Sequence, residues 1–126
     1  MAFLQEAWYV AAWAEDLNAD MLPRQLLGQR VVMYRRSDGT AVALEDRCPH
    51  RFAPLHMGRL VDDQIECAYH GLRFDCSGAC TLNPHGNGLV PPKAVVRSFP
   101  LVERYKLLWI WMGDPKMANA DEIPEF

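Results

Sequence analysis

Cys48-Pro49-His50 and Cys67-Ala68-Tyr69-His70 decide the reading of this chain. Each short stretch carries one thiol and one imidazole at ligand spacing, and sixteen residues lie between them. The pattern is asymmetric. Two thiolates and two imidazoles, arranged as two mixed pairs, suit a [2Fe-2S] cluster with different ligands on its two irons. Neutral imidazoles take negative charge away from the iron they bind, which raises the reduction potential above that of an all-Cys cluster. Such a chain is expected to carry electrons. Zinc is the main rival, because two Cys and two His also make a closed tetrahedral site. The usual zinc-finger order puts both Cys in one short segment and both His in the other. Here each segment is mixed and the first is Cys-x-His, so the spacing favours the iron–sulfur cluster.

The remaining composition narrows the class. The chain has 126 residues, half of them hydrophobic, enough for one compact domain with a real core. Nine Pro and eight Gly predict many turns. The net charge is -3 and the Lys and Arg residues are scattered, which argues against nucleic acid or an anionic membrane as partner. No apolar run approaches the length of a transmembrane helix. The start, Met1-Ala2-Phe3-Leu4-Gln5-Glu6, lacks the basic and apolar regions of a signal peptide, so a cytoplasmic protein is expected. Cys76 and Cys80 flank Ser77-Gly78-Ala79 and read as reduced thiols beside a turn, with a disulfide disfavoured in the cytosol.

Strand signals dominate. Arg30–Arg35 is rich in β-branched residues, Ser37-Asp38-Gly39 supplies a turn, and Thr40–Leu44 returns as its partner, delivering the chain to Cys48. Short strands are predicted at Gln64–Cys67, Leu72–Asp75, around Cys80-Thr81 and at Val95–Phe99, with Pro100 as the end of the last. Leu107–Met112 is apolar on both faces, which predicts a central position in a sheet, closed by Gly113-Asp114-Pro115. Helix is scarce: one turn is expected at Glu15-Asp16-Leu17. Asn83–Lys93 reads as an ordered loop, and the residues after Asp114 as an exit segment. Pro49 restricts the first ligand loop, and Gly71 lets the backbone turn sharply after His70. Amides in such loops can donate to the cluster's sulfurs.

At these residues the chain resembles a Rieske [2Fe-2S] domain, in particular the N-terminal domain of a Rieske non-haem iron oxygenase of the vanillate O-demethylase and dicamba monooxygenase group. The likeness extends over Ala7–Ala11, Leu44–Leu55, Tyr69–Asp75, Asn83–Gly86 and Leu108–Pro115, and covers about residues 3 to 126. It implies an all-β Rieske fold of stacked antiparallel sheets, with a small cluster-binding subdomain of two hairpin loops at about residues 46–83, in a single domain over 1–126. It implies that Cys48 and Cys67 hold one iron and His50 and His70 the other, with His70 as the electron exit. It also implies a reductase or ferredoxin as electron donor. The acceptor would be a mononuclear iron in a catalytic domain, reached in the neighbouring subunit, which uses O₂ to hydroxylate or demethylate an aromatic substrate. That iron is held by two His and a carboxylate. Of the four His here, two are committed to the cluster, so no catalytic residue is assigned in this chain and the mononuclear Fe(II) belongs to a domain absent from it. The chain stops at Ile123-Pro124-Glu125-Phe126, where the family would continue. It is therefore expected to be either part of an oxygenase or a stand-alone Rieske-type ferredoxin.

Respiratory Rieske proteins resemble this chain at the ligands but differ around them. They add a Cys in each loop, forming a disulfide, where Ala53 and Tyr69 offer no such pair. They also place a Ser and a Tyr where Leu72 and Phe74 stand here. With two hydroxyl donors fewer to stabilise the reduced cluster, the potential is expected on the order of -150 mV rather than +300 mV. His56 and His85 read as loop residues, His56 in a hydrogen-bonding role. Trp8, Trp13, Trp109 and Trp111 read as core or sheet-face residues. Arg51 and Arg73 flank the ligand loops, either as surface charges in salt bridges or as docking groups for an acidic ferredoxin.

Overall fold

The computed structural model describes residues 7–18, 20–48, 54–68, 71–82 and 95–123. His50, Arg51, Ala53, Tyr69, His70, His85 and the 83–93 loop lie outside them. The described residues form three antiparallel sheets, and their only helical elements are single 3-10 turns. The first sheet runs β1 (Ala7–Trp13), β11 (Leu107–Met112), β10 (Leu101–Arg104). The second runs β2 (Leu22–Leu26), β3 (Gln29–Arg35), β4 (Ala41–Glu45), β9 (Ser98–Phe99). The third is a meander of β5 (Arg59–Val61), β6 (Gln64–Glu66), β7 (Arg73–Phe74) and β8 (Cys80–Leu82). The expectation of an all-β stack of antiparallel sheets holds.

The second sheet is the middle layer, and its sequence shows why. Side chains alternate across a strand. Val31 and Met33 of β3, with Ala43 of β4, enter one apolar cluster with Leu108, Ile110 and Met112 of β11. Val32 and Tyr34, with Val42 and Leu44, enter a second cluster with Ile65, Phe74 and both candidate cysteines. A strand buried on both faces has no polar positions to alternate with, so Val31–Tyr34 is apolar throughout. β11 is central in the first sheet, as its sequence predicts. Its outer face carries the buried Trp109 and Trp111. Trp111 meets Trp8 edge-on with ring centroids 5.4 Å apart, and its indole N–H donates to the Asp114 carbonyl at 2.8 Å. The exit segment lies against this face: the Trp8 indole N–H donates to Asn119 O at 2.9 Å, and Arg104 to Ala120 O at 2.8 Å. Of the core or sheet-face roles expected of Trp13, it takes the exposed one, being 58% exposed at the end of β1.

β2, β5 and β10 are strands that the sequence does not announce. Each pairs with the next strand across two residues: Leu26 with Gln29, Val61 with Gln64, Arg104 with Leu107. Such tight hairpins need positive φ at both central residues. Leu27 and Gly28, Asp62 and Asp63, and Tyr105 and Lys106 all adopt it, at φ between 50° and 77°. Neither Asn-Gly nor Asp-Gly marks these turns. Pro23 in β2 is compatible with an edge strand, since no other described strand pairs along that edge.

The strand expected at Val95–Phe99 is split. Val95 bridges Ala79 of the third sheet, and the Val96 N–H donates to Gly78 O at 2.8 Å. Arg97 O then accepts from Glu45 N–H at 2.7 Å, and Ser98–Phe99 joins the second sheet. One strap thus ties two layers and cannot ladder continuously in either. Its seat is the turn after β7, where Gly78 closes on Asp75 and Cys76 and Cys80 are free thiols, as expected.

Gly78 and Gly39 offer a controlled comparison. Both have positive φ, 86° and 90°, for which a side chain costs about 1–2 kcal/mol. A Cβ on Gly78 would also lie 1.8 Å from Val96 O, while one on Gly39 meets nothing within 4 Å. Gly78→Ala is expected to lose clearly more stability than Gly39→Ala in urea unfolding; equal losses would show that the strap contributes nothing.

Candidate metal centre

Two elements bring Cys48 and Cys67 into one apolar cluster. At the end of β4 the Glu45 N–H is held by Arg97 O, the Asp46 N–H donates to Arg30 O at 3.1 Å, and Cys48 follows two residues on. Cys67 directly follows β6. Cys48 and Cys67 are 1% and 2% exposed and share one apolar cluster with Leu55, Ile65, Leu72 and Phe74. The loop after Cys67 is closed by two backbone bonds. Gly71 N–H donates to Cys67 O at 3.0 Å, and Cys67 N–H to Leu72 O at 2.7 Å. Gly71 takes φ 76°, the sharp turn expected of it. Leu72 and Phe74, read as replacing hydroxyl donors, are buried.

Asp46 is the buried charged residue among the described residues, and sequence reasoning did not single it out. Its Oδ1 accepts the backbone N–H of His56 at 2.8 Å, and its Oδ2 lies 2.5 Å from His56 Nδ1. The two oxygens thus hold both the backbone and the ring of His56. The hydrogen-bonding role expected of His56 is thereby found. The available signal was a carboxylate two residues before a ligand, where the apolar strand is just ending, with an imidazole ten residues further on. His56 sits in the 3-10 turn Leu55–Met57, capped by Gly58 N–H on Leu55 O. Gly58 is pressed against the other segment: a Cβ there would lie 1.9 Å from Glu66 O and 3.2 Å from Ala68 N.

The third sheet is also tied to the middle layer by Tyr34, whose hydroxyl donates to Asp63 O at 2.9 Å, and by Ser37, whose N–H and hydroxyl donate to the Asp63 carboxylate. Burial pushes the Tyr34 phenol well above its ordinary pKa, so it stays a neutral donor. On the outer side Glu66 accepts from Arg59 Nε and Arg73 Nε, each at 2.9 Å. Arg73 is therefore a paired charge, in keeping with the salt-bridge reading.

Two thiols on separate loops, held within one apolar cluster, fit a metal centre that takes soft sulfur ligands. No cluster of three or more potential metal ligands is found among the described residues, which do not include His50 and His70.

Comparison with known proteins points to one metal centre. A family model described as "Rieske [2Fe-2S] domain" matches residues 7–100. The chain is 52% identical over 126 residues to the dicamba O-demethylase oxygenase component of Stenotrophomonas maltophilia, spanning 100% of this chain and 37% of that protein. It is 50% identical to the toluene-4-sulfonate monooxygenase system iron-sulfur subunit TsaM1 of Comamonas testosteroni, spanning 98% of this chain and 36% of that one. The crystal structure of dicamba monooxygenase bound to dicamba superposes with a TM-score of 0.96 at 52% identity, covering all of this chain and 38% of that one. The chain thus spans little more than a third of the length of these relatives. The family match selects the iron–sulfur reading over zinc.

The Glu66 carboxyl sits below the usual carboxylate range because the Arg59 guanidinium, and next that of Arg73, hydrogen-bond its charged form. A carboxyl whose folded pKa is lowered contributes stability above its unfolded pKa and loses it as pH falls through the folded one. Glu66→Gln is expected to be less stable than the parent chain at neutral pH, with the difference closing in strong acid. Urea unfolding across pH checks this, and a gap that stays constant with pH rules it out.

Proposed function

Because the chain belongs to the Rieske [2Fe-2S] domain family, we propose that it relays single electrons from a reductase or ferredoxin toward the mononuclear iron of an oxygenase. That oxygenase would hydroxylate or O-demethylate an aromatic substrate with O₂. Cys48 and Cys67 are the ligands of one iron, and His50 and His70 those of the other, with His70 on the exit side. The mononuclear iron belongs to a catalytic domain outside the 126 residues. When bound, the cluster supplies one-electron redox chemistry at a potential that its two neutral imidazoles raise. The observation that carries the reading is the pair of buried cysteines, from two separate loops, in one apolar cluster.

The chain's own residues act by exclusion and positioning. Leu55, Ile65, Leu72 and Phe74 keep water from the sulfurs. Cys67 N–H and Gly71 N–H are engaged by backbone carbonyls. Together with the apolar Leu72 and Phe74, this supports a potential at the low end of the Rieske range. Likeness to oxygenase components along the whole chain favours this role over a free-standing ferredoxin. No helix among the described residues is long and apolar enough to cross a membrane, and we place the protein in the cytoplasm, where its reductant is supplied.

Two measurements test the proposal. The dithionite-reduced chain is expected to give an EPR signal with average g below 2, and Cys48→Ser and Cys67→Ser to lose it. A colourless chain holding zinc would overturn the assignment. Protein-film voltammetry is expected to give a midpoint on the order of -150 mV near neutral pH; a clearly positive midpoint would remove the argument from Leu72, Phe74 and the engaged amides.

A further inference from the structure

Asp46 and His56 bracket the first ligand loop, which contains Cys48 and His50 by sequence. Both carboxylate oxygens are spent on one residue: Oδ1 holds the backbone N–H of His56 at 2.8 Å and Oδ2 its ring nitrogen at 2.5 Å. Such a grip fixes a backbone and a side-chain rotamer at once. It also closes the loop on itself, since the two residues are ten apart. The carboxylate is buried, so this contact is made away from water, where an unmade one is costly.

The grip continues to the second thiol. Asp46 is held to the middle sheet through Arg30 O. His56 sits within the turn Leu55–Met57, and Leu55 is fully buried between the two cysteines' neighbours. Gly58, two residues on, sits so close to Glu66 O and Ala68 N that no Cβ fits. Those two residues flank Cys67. A continuous set of contacts thus runs from Arg30 through Asp46, His56 and Gly58 to the segment bearing Cys67.

We infer that Asp46 and His56 form a positioning brace that sets the separation of the two cysteine-bearing segments and so tunes how tightly the metal centre is held. This rests on the reading of Cys48 and Cys67 as cluster ligands. Neither brace residue is a ligand; each acts through the loop it holds. What the brace requires is an N–H donor on the γ-carbon of residue 56. Asparagine supplies one in the place of the imidazole Nδ1, and alanine does not.

The test uses the whole chain loaded with its cluster. Release of iron to excess ferrous chelator is followed, and the reduced EPR spectrum is recorded. Outer-shell partners of metal ligands commonly contribute 10–100-fold in metal retention, so His56→Ala and Asp46→Ala are expected to release iron about 10–100-fold faster, with shifted g values, and His56→Asn within about twofold of the parent. Rescue by asparagine separates a directed hydrogen bond from mere filling of space. Should Asp46→Ala fail to fold, the two His56 variants decide alone, because the backbone bond to Asp46 survives in both. Parental release and parental g values in His56→Ala overturn the brace, as does His56→Asn releasing iron as fast as His56→Ala. A parent chain that takes up no [2Fe-2S] cluster overturns the ligand reading and the brace with it, whereas a parent that holds its cluster no better than the alanine variants overturns the brace alone.

Discussion

The structure depends on burying both faces of β3 and β4. These two strands have no solvent side: odd-numbered residues of the run 31–34 face the first sheet, and even-numbered ones the third. Two separate apolar clusters are thereby built on one hairpin. The first has its floor on β11 and is an ordinary sheet-on-sheet core. The second has to be covered by a small meander of two- and three-residue strands, which is too short to bury much surface on its own. The cysteines fall in this second cluster. Cys48 thus follows the doubly buried hairpin, and Cys67 follows β6 of the small sheet that covers it.

A small cover needs ties, and each tie seen here is polar and directed. Tyr34 reaches Asp63, Ser37 reaches the same residue, Gly78 meets Val96, and Glu45 meets Arg97. Apolar contact alone is non-directional and leaves a sheet free to slide. Hydrogen bonds fix register instead. Tyr34 serves both purposes, since its ring fills the second cluster while its hydroxyl, kept neutral by burial, fixes the β5–β6 turn.

What could be read in the sequence divides along the same line. Local chemistry was legible: the mixed Cys and His pairs, the Ser37-Asp38-Gly39 turn between β3 and β4, and the two-faced run of β11. The part that was not legible depends on distant partners. Leu27 before Gly28, and both Tyr105 and Lys106, take the positive φ of tight hairpin turns that their side chains disfavour, because the flanking strands are held by the sheet. Val95–Phe99 has strand composition, yet its carbonyls and amides serve two sheets in turn. Trp13 looks like core in composition but stands at the end of an edge strand. Arg73 looks like a free cation, but has Glu66 opposite it across two strands, in register through β6 and β7. In the site itself, Cys48 and Cys67 were legible because ligand chemistry is local. Asp46 was not, because its meaning lies in a contact ten residues away.

The placement of the two sulfurs carries a last consequence. Leu55, Ile65, Leu72 and Phe74 make the surroundings of Cys48 and Cys67 apolar, and an uncompensated thiolate in such surroundings is costly. Ligation by iron removes that cost, because the metal's positive charge is met at contact distance while the apolar shell keeps the field unscreened. On the proposed ligation, the same apolar shell that excludes water from the sulfurs favours the occupied site. Among the described residues, the apolar Leu72 and Phe74 and the engaged Cys67 and Gly71 amides offer the proposed cluster nothing to stabilise added negative charge. On the proposed ligation, a site that excludes water in this way is, for the same physical reason, one that gives up its electron readily.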